Sequence, residues 1–214
     1  MNITNLWAVP IAESIIDIDI DRTLEYISNL PYETNDEIHC KYSIDKHLHK
    51  DTFLSDVVSK IKSMSDSYAS DVLGYDTKSP DYSIDIKTMW GIRMEPHNFA
   101  TRHYHALSLF SGILYLNVDA DGSNKIRFHT PRNNNGFVRI PCSHWNTFNC
   151  IEYSMIPEPG KLILFPSDID HSTVANMANE NLHSIVIDFS VKGVLGKGTT
   201  GELSFFMNEE QNER

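Results

Sequence analysis

The sequence predicts a mainly β domain with N-terminal helices, and three observations carry that prediction. From residue 82 onward, short apolar segments alternate with turn residues in the manner of strands. Among the first 74 residues, two segments instead repeat their apolar positions every three or four residues, the period of a helix with one buried face. The length, 214 residues, is enough for one substantial core. A single domain is therefore expected, with a helical or mixed cap over 1–81, a β core over 82–192 and a C-terminal tail over 193–214.

The elements follow in order. Segment 21–30 carries Leu24, Ile27 and Leu30 at helical spacing, and Pro31 stops it. Segment 52–73 places Leu54, Val57, Val58, Ile61, Met64, Tyr68 and Val72 on one face, with Gly74 as the stop. A polar connection over 76–81 includes Pro80. Strands are expected at 84–93, 100–106, 109–118, 125–130, 137–140, 149–156, 161–165 and 181–191, and eight short strands in succession suggest a sandwich or barrel. Gly112 inside a strand implies a bulge or a close backbone approach. Pro157, Pro159 and Gly160 form the turn before 161–165, while 132–149 has the polarity of a surface loop or lid. The tail, rich in Gly and Thr and then in acidic and amide residues, is expected to be mobile in part.

Composition narrows the function classes. With 18 Lys+Arg against 29 Asp+Glu the formal charge is -11, so a phosphate backbone meets an unfavourable field and no nucleic-acid partner is expected. No apolar run approaches the roughly 20 residues of a spanning helix. The first 21 residues carry Asp and Glu where a secretory leader would have a basic head, so a cytoplasmic protein without a membrane partner is expected. Cys40, Cys142 and Cys150 make neither a disulfide framework nor a CxxC metal pair.

The chemistry is concentrated in three histidines. Side chains two apart on a strand share a face, so His103 and His105 can present two imidazoles to one point. His171, just after the apolar run 161–167, can supply a third. Such a set suits a divalent transition metal. His47 and His49 repeat the spacing but sit in a stretch rich in Lys and Asp, without the buried strand that follows His105. His39, His97, His129, His144 and His183 are read as ordinary surface or hydrogen-bonded histidines.

These residues also carry a resemblance. The order HxHxxSxxSGxxYLN, then Pro131-Arg132, then PxPGKLxLFPSxxxH, then SIxIxF is similar to the 2-oxoglutarate and Fe(II)-dependent oxygenases of the prolyl-hydroxylase-like superfamily, in particular to a branch found in bacteria and their phages. The opening Leu6-Trp7-Ala8-Val9-Pro10-Ile11 extends the likeness over nearly the whole chain. The resemblance implies a double-stranded β-helix, or jelly roll of cupin type, and an Fe(II) ion held by His103, His105 and His171 with 2-oxoglutarate as cosubstrate. His105 then stands where most of the superfamily has Asp or Glu; the resemblance implies histidine at that position in this branch, so the departure belongs to the subgroup. Three neutral imidazoles leave the ion's charge uncompensated, and they would also make a good tetrahedral zinc site.

For the cosubstrate, the resemblance implies Tyr115 and Ser184 as binding residues. The family's carboxylate-binding Arg falls at Leu182, and a buried carboxylate without a cationic partner is costly. Arg127 or Lys125 could compensate, although alternation turns Ile126 and Phe128 inward and the two cations to water. The implied activity is hydroxylation of a protein side chain or a small metabolite. The alternatives are a non-catalytic jelly-roll or virion-associated module that has lost 2-oxoglutarate binding, and a cupin-like three-histidine dioxygenase that uses no keto acid.

Overall fold

Residues Leu182–Leu195 (β10) form the strand around which the molecule is organised. In a computed structural model, which describes residues 1–3, 8–35, 38–119, 123–131 and 140–205, β10 runs antiparallel to Tyr82–Met94 (β4) on one side and Phe110–Tyr115 (β5) on the other. The sheet continues from β5 through Lys161–Pro166 (β8) to Ala12–Ile15 (β1), and from β4 through Cys40–Ser43 (β3) to Tyr32–Asn35 (β2). Leu203–Phe205 (β11) pairs the far end of β10. Facing this major sheet is a minor one in the order Glu152–Met155 (β7), Ile126–His129 (β6), His171–Thr173 (β9). Both sheets are antiparallel throughout, the arrangement of a double-stranded β-helix.

Period-two alternation gives the major sheet two different faces. Leu114, Leu162, Leu164, Ile185, Ile187 and Phe189 point outward, where they pack with Ile27, Leu54, Val57, Ile61 and Tyr68 from the N-terminal segment. Ile113, Tyr115, Ile163, Phe165 and Val186 point inward and meet Ile126, Phe128 and Met155 of the minor sheet. One irregularity interrupts this order. Asp188 pairs with Thr88 but Phe189 pairs with Ile86, so Lys87 is an extra residue on β4, a bulge at the level of the inward Asp188.

The helices cover the outer face. Ile20–Ser28 (α1) starts where the Asp19 carboxylate accepts the Arg22 N–H, and it buries Thr23 and Ile27. The expected helix over 52–73 comprises three pieces: a 3-10 turn Thr52–Leu54, the α-helix Ser55–Ser67 (α2) and a π-helical turn Tyr68–Val72. In that last turn Tyr68 is buried, donates to the Pro10 carbonyl at 2.9 Å and meets Phe110 edge-on. Gly74, at φ +69°, follows it.

Several expectations are corrected. The segment 100–106 is not a continuous strand: it makes one reciprocal bridge to β9, His103 with His171, and a further bond from the Thr173 N–H to the Ala100 carbonyl at 3.0 Å. The N-terminal segment contributes β1, β2 and β3 to the major sheet, pairings between distant residues that local periodicity does not reveal. The β core extends past the expected boundary at 192, since β10 runs to Leu195 and pairs with β11 at Leu203–Phe205. Gly112 sits in regular register, opposite Ile187 and Leu164, and its reason is close approach: a Cβ there would lie 2.8 Å from Leu164 Cδ2. Leu6 and Trp7, the expected strand 137–140 up to residue 139, the proposed lid from Arg132 to residue 139, and the tail beyond 205 lie outside the described residues. Among the described residues, no helix is long and apolar enough to cross a membrane.

Candidate metal centre

The three histidines are brought together by backbone hydrogen bonds. The His103 and His171 backbones exchange bonds of 2.9 and 2.8 Å, and the His105 N–H donates to the Ser167 carbonyl at 2.9 Å. This fixes 103–105 across the start of β9. Ring centroids then lie 4.4 Å apart for His103 and His171, 5.1 Å for His105 and His171, and 5.5 Å for His103 and His105. One ligating nitrogen from each ring lies within 4.8 Å of the others, the spacing of a shared ion.

The other nitrogen of each ring is already engaged. Nδ1 of His103 is 2.7 Å from the Thr101 carbonyl, Nδ1 of His171 is 3.1 Å from the Ile169 carbonyl, and Nδ1 of His105 is 2.6 Å from Asp188 Oδ1. A carbonyl or carboxylate can only accept, so Nδ1 carries the proton and the Nε2 lone pair of each ring is left toward the common point. Burial, reinforced by the neighbouring His103 and His105, pushes His171 down to about 3. Burial likewise lowers His103. Both are neutral bases at physiological pH, the form that coordinates a metal. The donor set therefore fits a divalent transition ion.

Behind His105 lies a polar network that the sequence reading did not assign. Ser111 Oγ donates to Asp188 Oδ1 at 2.7 Å and lies 2.7 Å from Ser167 Oγ. Burial alone would raise the Asp188 carboxyl, but hydrogen bonds from His105 and Ser111 hold it below its ordinary value. The signal for it was present: SIVIDF carries one acidic residue at an inward position of an otherwise apolar strand, where an unpartnered charge would not be tolerated.

The rings open into a cleft walled by Trp90, Ile92, Ile113, Phe165 and Val186. Ser184, Thr173 and Asn124 supply its polar edge, and no Lys or Arg is among the described residues that line it. Tyr115 stands directly across from Ser184 on β5 and is fully buried. Its hydroxyl, raised in pKa by burial against a smaller opposing effect of the Ile126 backbone, makes no side-chain hydrogen bond among the described residues. Leu182 is fully buried at the start of β10, opposite Met94 and on the Ser184 side by alternation.

Arg127 does not join the site. Ile126 and Phe128 take the inward positions of β6, so Arg127 turns to the outer side, half-exposed, with Glu152 at 3.6 Å. Lys125 shares that side by alternation. Arg102 bonds Asp170 through Nε at 2.9 Å and Nη2 at 2.5 Å. His183 faces outward beside Arg93, whose guanidinium lies over the Tyr32 ring at 4.1 Å.

A family profile described as "Putative 2OG-Fe(II) oxygenase" matches residues 88–188. Among solved structures, the chain is similar to a Pseudomonas putida prolyl-4-hydroxylase, at 13% identity and TM-score 0.57 over 84% of this chain and 91% of that one. It is similar to HygX from Streptomyces hygroscopicus with nickel, 2-oxoglutarate and hygromycin B bound, at 7% identity and TM-score 0.56 over 85% and 82%. An oxidoreductase of the 2OG-Fe(II) oxygenase family from Burkholderia pseudomallei matches at 16% identity and TM-score 0.54 over 80% and 78%. At these identities the likeness establishes the fold. No curated protein matches the chain significantly.

Proposed function

We propose that this chain is a 2OG-Fe(II) oxygenase, as the profile match over residues 88–188 supports, that it holds Fe(II) on His103, His105 and His171, and that it hydroxylates a protein side chain or a small metabolite with 2-oxoglutarate as cosubstrate. The observation that carries this reading is the convergence of three imidazoles whose Nδ1 atoms are all engaged elsewhere. Bound Fe(II) supplies the coupling of 2-oxoglutarate decarboxylation, which gives succinate and carbon dioxide from dioxygen, to transfer of the remaining oxygen atom into a substrate C–H bond.

The chain's own residues have separable tasks. The three rings occupy one side of the metal position, leaving the cleft side open to ligands. Phe165, whose ring centroid lies 4.9 Å from that of His171, and Trp90, 5.9 Å from that of His105, keep water from the ligand rings. The Tyr115 hydroxyl, which donates to no side chain among the described residues and has Ser184 across the strand pair, is a donor suited to the far carboxylate of the keto acid. The setting we propose is the cytoplasm of a bacterial or phage-infected cell, where the free thiols of Cys40, Cys142 and Cys150 stay reduced.

Wild-type protein should convert 2-oxoglutarate to succinate in an Fe(II)-dependent manner, and His171→Ala should not. Succinate release independent of Fe(II) would refute the proposal.

One observation favours a second reading, a metal-holding module or a three-histidine dioxygenase without a keto acid: among the described residues no cation lines the cleft, and Leu182 takes the place where the resemblance puts a carboxylate-binding Arg. Leu182→Arg separates the readings. A charged hydrogen bond is worth roughly 1.5 to 3 kcal/mol, so the variant should tighten 2-oxoglutarate by about tenfold or more in calorimetry. If neither wild type nor variant binds 2-oxoglutarate while iron is present, the second reading holds.

A further inference from the structure

Asp188 is 7% exposed, inward-facing on β10, and flanked on its strand by Val186 on the same side and by Ile187 and Phe189 on the other. Its Oδ1 receives His105 Nδ1 at 2.6 Å and Ser111 Oγ at 2.7 Å, and Ser111 is in turn braced by Ser167 Oγ at 2.7 Å. The bulge at Lys87 lies directly beside it, yet the Lys87 ammonium turns to the Leu107 carbonyl at 3.1 Å and makes no hydrogen bond to the carboxylate. A carboxylate this deeply placed needs a compensating positive charge. The ring it grips presents its other nitrogen to the point shared by His103 and His171.

Resting on the reading of these histidines as metal ligands, we infer that Asp188 is a positioning residue. It fixes the tautomer and the plane of His105 and supplies, through that ring, the negative charge that three neutral imidazoles lack. Carboxylate, imidazole and metal in line is an arrangement that raises the basicity of the ligand nitrogen, and loss of such an outer carboxylate costs about 10- to 100-fold in metal affinity. Ser111, itself braced by Ser167, holds the carboxylate in place, and His105 cannot rotate without breaking its Nδ1 contacts to Asp188 Oδ1 at 2.6 Å and to Ser111 Oγ at 3.2 Å.

The alternative is that Asp188 only satisfies its neighbours in the core. Co(II) binding under neutral, oxygen-free conditions distinguishes the two, followed by calorimetry and by the visible d–d spectrum. Asp188→Asn, which preserves shape, should weaken Co(II) by about 10- to 100-fold and shift the spectrum. In a His105→Ala background most of that loss should vanish, because the carboxylate then has no ring to act through. Unchanged affinity in Asp188→Asn, or an equal loss in both backgrounds, overturns the inference. If Asp188→Asn does not fold, Ser111→Ala is read in the same two backgrounds: a several-fold weakening confined to the His105-containing protein is expected, and no weakening overturns the inference. The metal reading is checked separately. If wild type binds Co(II) at one ion per chain and His171→Ala does not, that reading stands whatever Asp188 does; if wild type binds none, both fall.

Discussion

The outer and inner faces of β10 each bury histidine, and they treat it differently. Outward, His183 is 6% exposed, with neither ring nitrogen partnered among the described residues, and burial followed by the Arg93 charge pushes it down to about 4. Inward, the face that carries Asp188 meets His105, whose Nδ1 is held by that carboxylate and whose Nε2 faces two more imidazoles. Burial disfavours the charged ring of His183 on the outer side and of His103 and His171 on the inner side. Only the inner one gives one nitrogen a fixed acceptor and leaves the other a clear direction. Burial of a histidine is therefore no sign of a site; the accounting of its two nitrogens is.

The largest expected effect sharpens that contrast. His171→Ala should abolish stoichiometric iron binding at neutral pH, whereas His183→Leu should leave it unchanged; comparable losses by titration would break the distinction between the faces. On the outer face, Ile187→Ala should destabilise the fold by about 2 to 5 kcal/mol in urea unfolding, as loss of a fully buried aliphatic side chain does, while the folded protein still takes up one metal.

The acid response separates the faces more finely. His183 titrates at about 4 in the folded chain and near 6.5 unfolded, so below about 6.5 the unfolded state binds the additional proton. Stability of the metal-free protein is then complete above about pH 6.5 and is lost as pH falls toward 4, by on the order of 3 kcal/mol from His183 alone. His171, also lowered, adds to the loss in the same direction. Unfolding measured at pH 7 and pH 5 should show a smaller difference in His183→Leu than in wild type. The smallest effect belongs to Arg127→Ala: its half-exposed ion pair is worth at most about 1 kcal/mol, and 2-oxoglutarate binding should not change.

Much of the inner face could be read from the chain. The spacing of His103 and His105 and the position of His171 after 161–167 identified the residues that converge, and alternation along 182–189 assigned Ser184 and Asp188 to one side and His183 to the other. What was missed has a common cause, dependence on distant partners. β1, β2 and β3 are short strands recognised only by pairing with β8 and β4. The segment 100–106 looks like a strand but is held by scattered bonds to Thr173, His171 and Ser167 and not by a ladder. Asp188 takes its surroundings from distant parts of the chain: the Lys87 bulge, Ser111 and the His105 ring meet around it. Arg127 is the reverse: its charge suggested a binding role, and the inward packing of Ile126 and Phe128 decided its direction.

The central claim, three imidazoles holding an iron that accepts a keto acid beside Tyr115 and Ser184, is most directly tested by anaerobic titration with Fe(II) and 2-oxoglutarate. The chelate's visible charge-transfer band should grow until one iron is bound per chain and should be absent in His171→Ala. Iron bound by the wild type without that band, or the same band in the variant, would contradict the account.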